Sequence, residues 1–161
     1  GIRDIDGSRG LGDVYKRQQY MSSGNHKRYD LAYLKMASTW GELSHCHRKK
    51  VGALIVKDRM IISDGYNGTP SGFENACEDE DNYTKWYVLH AEANAILKVA
   101  ASTQSCVGAT LYLTLSPCRE CSKLIHQAGI IRVVYSKAYK DDSGLIFLKK
   151  AGVMLTHMKI E

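Results

Sequence analysis

No apolar run in this chain approaches the roughly 20 residues that a helix needs to cross a bilayer, and no apolar segment near its start reads as a secretory signal. A membrane-spanning helix is therefore excluded, and no membrane partner is expected. The chain also lacks a charge of one dominant sign. Its 22 basic and 17 acidic residues leave a net charge of +5, and the two signs interleave, with only short basic clusters such as Arg48-Lys49-Lys50. Extended nucleic-acid binding would normally show a larger basic face. A small phosphorylated ligand suits this balance better, and no stable nucleic-acid partner is expected. Cysteine is sparse and odd in number, five in all, too few for a disulfide-stapled scaffold. A reducing cytoplasm, bacterial or that of a phage host, fits this usage. Internal repeats and low-complexity segments are absent. What remains, 161 residues with 44% hydrophobic and 24% charged content, has the size and composition of one globular domain with a single core.

Residues 1–20 look foreign to that domain. The first 18 are rich in Gly and carry no sustained period, and Asp13-Val14-Tyr15-Lys16-Arg17-Gln18 is also what a common sequencing-library transposon end encodes. The expectation is a non-native or disordered leader over 1–20. The native chain would begin near Met21 and the single domain would span 21–161. Without residues 1–18 the charge is +4, from 18 basic and 14 acidic residues, so the charge argument is unaffected.

From Tyr29 onward helices and strands alternate. Tyr33, Met36, Ala37 and Trp40 fall at i, i+3, i+4 and i+7 and predict the buried stripe of a helix ending around Ser44. Val51 to Val56 is a continuous apolar run of strand length, consistent with burial on both faces. The polar turn Lys57-Asp58-Arg59 joins it to a second strand beginning at Met60, most simply as a hairpin. Gly65 to Gly72 reads as a loop, and the acidic Cys77 to Lys85 as a surface excursion. Ala93, Ile96, Leu97 and Ala100 continue helically after His90. Thr110 to Leu115 predicts a third strand, and Cys121, Leu124, Ile125 and Ala128 a helix that Gly129 closes. A fourth strand follows over Ile130 to Tyr135, a final helix over Gly144 to Ala151, and a short fifth strand over Val153 to Leu155. This order implies an α/β fold with a mixed sheet between helical layers.

His90-Ala91-Glu92 and Pro117-Cys118-Arg119-Glu120-Cys121 carry the chemistry. Each piece alone is weak, since a lone Cys-x-x-Cys serves equally well in a redox pair or a structural zinc knuckle. Together, His90, Cys118 and Cys121 can hold zinc and leave its fourth position open, whereas structural sites usually supply four protein ligands. Both pieces precede helical stripes, so the ligands fall at helix N-termini, which favour thiolate over thiol. Glu92 stands beside the first ligand, where a proton carrier is needed. In this order the two pieces match the known signature of zinc nucleobase deaminases.

The resemblance covers nearly the whole chain from about residue 29. Cys46 to Ala53, Gly65-Tyr66-Asn67-Gly68-Thr69-Pro70-Ser71-Gly72, His90-Ala91-Glu92-Ala93-Asn94-Ala95-Ile96, Ser116 to Cys121 and Gln127 to Ile130 resemble the deoxycytidylate (dCMP) deaminase family of the cytidine-deaminase superfamily. The ligands specify only the superfamily; the Gly-Tyr-Asn-Gly loop and Asn94 narrow it to the dCMP branch. The resemblance implies a three-layer α/β/α sandwich around a five-stranded mixed sheet, commonly assembled as a hexamer. It implies zinc-dependent conversion of dCMP to dUMP and ammonia, feeding thymidylate synthesis, with Glu92 as the proton carrier. Many members are activated by dCTP with Mg2+ and inhibited by dTTP.

By the same resemblance, the backbone around Ala91 and Ser116 reads the pyrimidine edge, Asn67 reaches the deoxyribose and Tyr139 stands over the pocket. Arg48 is assigned to the 5′-phosphate because a guanidinium fork engages two oxygens, with Lys50 a weaker candidate. The alternatives are plain ones. Asn67 also suits a left-handed turn position, while Arg48, Lys50 and Tyr139 are ordinary surface residue types. Cys46 and Cys77 resemble positions that hold a second, structural zinc in some phage members. The segment from Cys77 to His90 supplies no further His or Cys, so two buried free thiols are the expectation, with His45 and His47 the nearest additional donors. Cys106, His26, His126 and His157 show no ligand spacing. Competing activities are a tRNA adenosine deaminase, a cytidine or deoxycytidine deaminase and, outside enzymes, a zinc-binding scaffold.

Overall fold

A computed structural model describes residues 24–161, and the leader expected over residues 1–20 lies outside them. The β-branched and Leu-rich segments form five strands, β1 (Gly52–Lys57), β2 (Met60–Tyr66), β3 (Thr110–Leu115), β4 (Arg132–Lys137) and β5 (Met154–His157). Four helices complete the elements among the described residues: α1 (Gly24–Gly41), α2 (Ala91–Ala100), α3 (Arg119–Gln127) and α4 (Ser143–Lys150). The strands form one sheet in the order β2-β1-β3-β4-β5. β1 runs antiparallel to both β2 and β3, whereas β3, β4 and β5 are mutually parallel. The hairpin turns on Asp58 and Arg59, whose φ values of 50° and 61° give the left-handed pair that a tight β-turn matching strand twist requires.

Strand alternation divides the core in two. Ala53, Ile55, Leu111, Leu113 and Val133 face one side, where Ala95 and Val99 of α2, Ile125 of α3 and Leu148 of α4 cover them. Leu54, Val56, Tyr112 and Val134 face the other, against Leu34 and Ala37 of α1. The expected three-layer sandwich is therefore present, with one helix on one face and three on the other. β1 is buried on both faces, as its unbroken apolar run implied.

The stripe expected on α1 is out of phase. Ala37 is buried and Tyr33 packs against the core as expected, but Met36 and Trp40 are exposed, and Asp30, Leu34 and Gly41 are buried in their place. The reason is polar. Asp30 receives both terminal nitrogens of Arg132 at 2.8 and 2.6 Å and the Tyr112 hydroxyl at 2.7 Å, pulling that face of α1 onto the sheet. Trp40 meanwhile donates its indole N–H to Asp64 at 2.6 Å. On α2, Leu97 is likewise exposed and the buried face is Ala91, Glu92, Ala93, Ala95 and Val99.

Candidate metal centre and its cleft

Two helices begin at one place. His90 is the N-cap of α2 and Cys118 the N-cap of α3, both in extended backbone, and neither makes a side-chain capping bond. Their side chains are thus available to meet across the gap. His90 Nδ1 lies 3.5 Å from the Sγ of Cys118 and 3.5 Å from the Sγ of Cys121. All three donor atoms fall within 4.8 Å of one another, and among the described residues they form the group of three or more donors close enough to hold a metal. Tetrahedral zinc, with Zn–S about 2.3 Å and Zn–N about 2.0–2.1 Å, requires an N···S separation of roughly 3.5 Å. Two thiolates and an imidazole are also the donor set that zinc favours. The residues present fit the ion.

Electrostatics agree with a thiolate-bearing centre. Hydrogen bonds from Cys121 and His90 push the Cys118 thiol down to about 3. Contact with Cys118 pushes the Cys121 thiol upward, burial adding to the effect. The hydrogen bond to Cys118 raises His90 above its ordinary value, against burial. Glu92, the second residue of α2, is 4% exposed, and burial raises its carboxyl, opposed by its own backbone N–H and by His90. A buried carboxyl that holds a proton readily is what proton transfer near neutral pH needs.

Close packing fixes the start of α2. A Cβ on Gly65 would lie 2.3 Å from the Ala91 carbonyl oxygen, so only glycine lets β2 approach there. Asn94 donates to the Tyr66 carbonyl at 2.8 Å and Ser63 to that of Ala95 at 2.7 Å, tying the first turns of the helix to the strand.

A cavity of about 290 Å³ opens beside the donors, near the small end of ligand sites. His90, Glu92, Cys118, Ala91, Ser116, Asn67, Arg48 and Tyr139, all singled out in the sequence, line it. Cys121 lies behind, buried in α3. Ser116 donates its N–H to the Lys137 carbonyl and accepts the Tyr139 N–H on its hydroxyl, leaving its own carbonyl as its backbone acceptor. Asn67 does not adopt the left-handed conformation. Its amide accepts from Val51 N–H and donates to the Lys49 carbonyl, both at 2.8 Å, so it extends the edge of the hairpin while lining the cleft. Lys50 turns away to the Glu42 carbonyl. Its neighbour Lys49 lines the cleft in its place, its ammonium 4.7 Å from the centre of the Tyr139 ring.

Two expectations are corrected here. Cys46 and Cys77 are joined in a disulfide and are not free thiols; a disulfide sulfur offers no thiolate, so they do not make the second metal site. The resemblance placed these two cysteines, 31 residues apart, in one site, and the fold does bring them together, but as a disulfide. The acidic segment 77–85 is also more than a surface excursion. It folds back through the Lys85 N–H to the Cys77 carbonyl and a bridge between Glu78 and Thr84, and those two residues line the cleft. Sequence reasoning passed over Glu78 and Lys49, the first inside an acidic run and the second inside a basic one; adjacency to Cys77 and Arg48 was the available signal.

The family model described as "Cytidine and deoxycytidylate deaminase zinc-binding region" matches residues 27–137. Among curated relatives, the deoxycytidylate deaminase of Mycobacterium phage D29 is 40% identical over 123 residues, covering 68% of this chain and 94% of that protein. That of Saccharomyces cerevisiae is 35% identical over 147 residues, covering 85% of this chain but 47% of the yeast protein, so this chain spans about half its length. The crystal structure of dCMP deaminase from cyanophage S-TIM5, in complex with dCMP and dUMP, superposes with a TM-score of 0.79. The two chains are 44% identical, and the match covers 84% of this one and 98% of that one.

Proposed function

The chain belongs to the cytidine and deoxycytidylate deaminase family, and from that premise we infer that it is an enzyme deaminating dCMP to dUMP by hydrolysis. The observation that carries the reading is the convergence of His90, Cys118 and Cys121 beside the buried Glu92, in a cleft edged by Arg48 and Lys49. Zinc held by the three donors supplies, when bound, Lewis acidity and an activated water near neutral pH.

The chain's own groups do the rest. Glu92 receives a proton from the attacking water and delivers it to N3 of the pyrimidine as the water oxygen bonds to C4. It then moves the second proton to the exocyclic nitrogen, the C4–N4 bond breaks, and ammonia leaves with uracil in place of cytosine. Such positioned proton transfer contributes about 10²–10⁴-fold. The Ala91 N–H, in the first turn of α2 where helix amides have no intrahelical acceptor, and the Ser116 carbonyl offer the donor and acceptor that a pyrimidine edge requires. Asn67 lies along the deoxyribose, Arg48 and Lys49 take the 5′-phosphate, and Tyr139 covers the base.

Family resemblance supports a homo-oligomer, a hexamer, that supplies dUMP for thymidylate synthesis, whereas the Cys46–Cys77 disulfide runs against the reducing cytoplasm expected from cysteine usage. The resemblance likewise supports activation by dCTP with Mg2+ and inhibition by dTTP. Ammonia release from dCMP, deoxycytidine, CMP and a tRNA anticodon stem-loop tests the reading. Preference for dCMP is expected; preference for deoxycytidine or the stem-loop overturns it.

A further inference from the structure

The loop carrying Arg48 is held by a carboxylate that no step above uses. Glu78 follows the disulfide-bonded Cys77, and its Oε1 accepts the backbone N–H groups of His47 at 3.0 Å and Arg48 at 3.1 Å. Its Oε2 is buried and has no hydrogen-bond partner among the described residues, although Glu78 lines the cleft. A carboxylate oxygen buried without a donor is costly. The terminal torsion of a glutamate is broad, so a small turn presents that oxygen to the cavity. A donor arriving with the ligand would satisfy it.

On the reading of dCMP as substrate, the donor follows by elimination. The nucleotide carries two kinds of hydrogen-bond donor, the exocyclic amine and the 3′-hydroxyl; the ring carbonyl, the sugar ring oxygen and the phosphate dianion only accept. The amine must lie at the metal end, beside His90 and Glu92. A phosphate dianion is repelled by a bare carboxylate and belongs with Arg48 and Lys49. The 3′-hydroxyl remains.

We propose that Glu78 is a specificity-determining residue that accepts a hydrogen bond from the 3′-hydroxyl of the sugar. It thereby selects a free mononucleotide over one whose 3′ oxygen is missing or esterified. A 3′-phosphate would bring negative charge against the carboxylate, so a cytosine inside a DNA strand is refused at the sugar.

The test measures kcat/KM of the zinc-loaded full chain and of Glu78→Gln on three substrates: dCMP, 2′,3′-dideoxycytidine 5′-monophosphate and deoxycytidine 3′,5′-bisphosphate. The wild type should prefer dCMP over the dideoxy compound about ten- to a hundredfold, the size of one hydrogen bond to a charged group. In Glu78→Gln, whose amide oxygen still accepts the two backbone N–H groups while its NH2 can only donate a neutral bond to the 3′ oxygen, that ratio should fall several-fold or more. The bisphosphate should improve relative to dCMP. Damage to loop structure alone would lower dCMP and dideoxy turnover together and leave the ratio unchanged, which overturns the proposal. So does a wild-type ratio near one. Should Glu78→Gln lose turnover or its fold, Glu78→Asp, its carboxylate withdrawn by one methylene, is scored on the same ratio and on the relative affinities for dUMP and 2′,3′-dideoxyuridine monophosphate. A wild type that does not turn over dCMP rejects the dCMP reading; one that turns over dCMP and the dideoxy compound equally keeps that reading and rejects the role of Glu78.

Discussion

His90 and Cys118 hold equivalent places in two different helices, each at the N-cap, with Nδ1 and Sγ 3.5 Å apart. The centre is thus assembled by the packing of α2 and α3 starts, with Cys121 contributed one turn further along α3. His90→Ala, Cys118→Ala or Cys121→Ala should lose zinc and activity together, because two ligands no longer hold the ion tightly. Metal analysis after dialysis checks this; stoichiometric, tightly held zinc in all three variants would rule out this ligand set.

Gly65→Ala should damage the site without touching it. The new Cβ would fall 2.3 Å from the Ala91 carbonyl oxygen and 2.8 Å from the Ala95 nitrogen, both backbone atoms that yield only if α2 shifts. Misplacement of about 1 Å can cost on the order of 10²-fold in rate. Steady-state kinetics on folded, zinc-loaded protein should show that loss, and a wild-type kcat would mean the helix start has slack.

Asp30→Asn should be among the most destabilising single changes. It removes the carboxylate charge that faces the buried Arg132 guanidinium, whose side chain is 6% exposed. Breaking a buried pair from one side costs about 3–5 kcal/mol. Urea denaturation measures this directly, and a loss below about 1 kcal/mol would indicate that water reaches the pair.

Arg48→Ala should lower kcat/KM for dCMP about tenfold to more than a hundredfold while leaving deoxycytidine little changed, since a bond to a charged group contributes about 1.5–3 kcal/mol. Arg48→Lys should fall between, keeping charge without the fork. The comparison belongs in the absence of dCTP and dTTP, with zinc content and oligomeric state matched. Equal losses on both substrates would make Arg48 a support of the loop and not a phosphate reader.

The clustering of His90, Cys118 and Cys121 was legible in the sequence because metal ligation demands fixed residue types at fixed local spacings, and helix starts can be placed from the stripes that follow. β3 was read to the residue because its apolar run is bounded on both sides by turn signals. What stayed hidden depends on contacts between distant segments. The phase of α1 follows Asp30, a charged residue that apolar periodicity counts against burial, and its partner lies 102 residues away. Glu78 was hidden for the same reason: an acidic run gives no sign that one of its carboxylates folds back onto the amides of His47 and Arg48. Cys46 and Cys77 were grouped by the resemblance as a candidate metal pair, and only their covalent link stayed hidden.

The most direct test of the account is the turnover of Glu92→Gln with zinc bound. The amide keeps the size of the buried side chain but cannot carry a proton. Zinc content and affinity for dUMP should stay near wild type, while kcat for dCMP falls about 10²-fold or more, in keeping with the loss of positioned proton transfer. A zinc-loaded Glu92→Gln enzyme that deaminates dCMP at the wild-type rate would contradict the account.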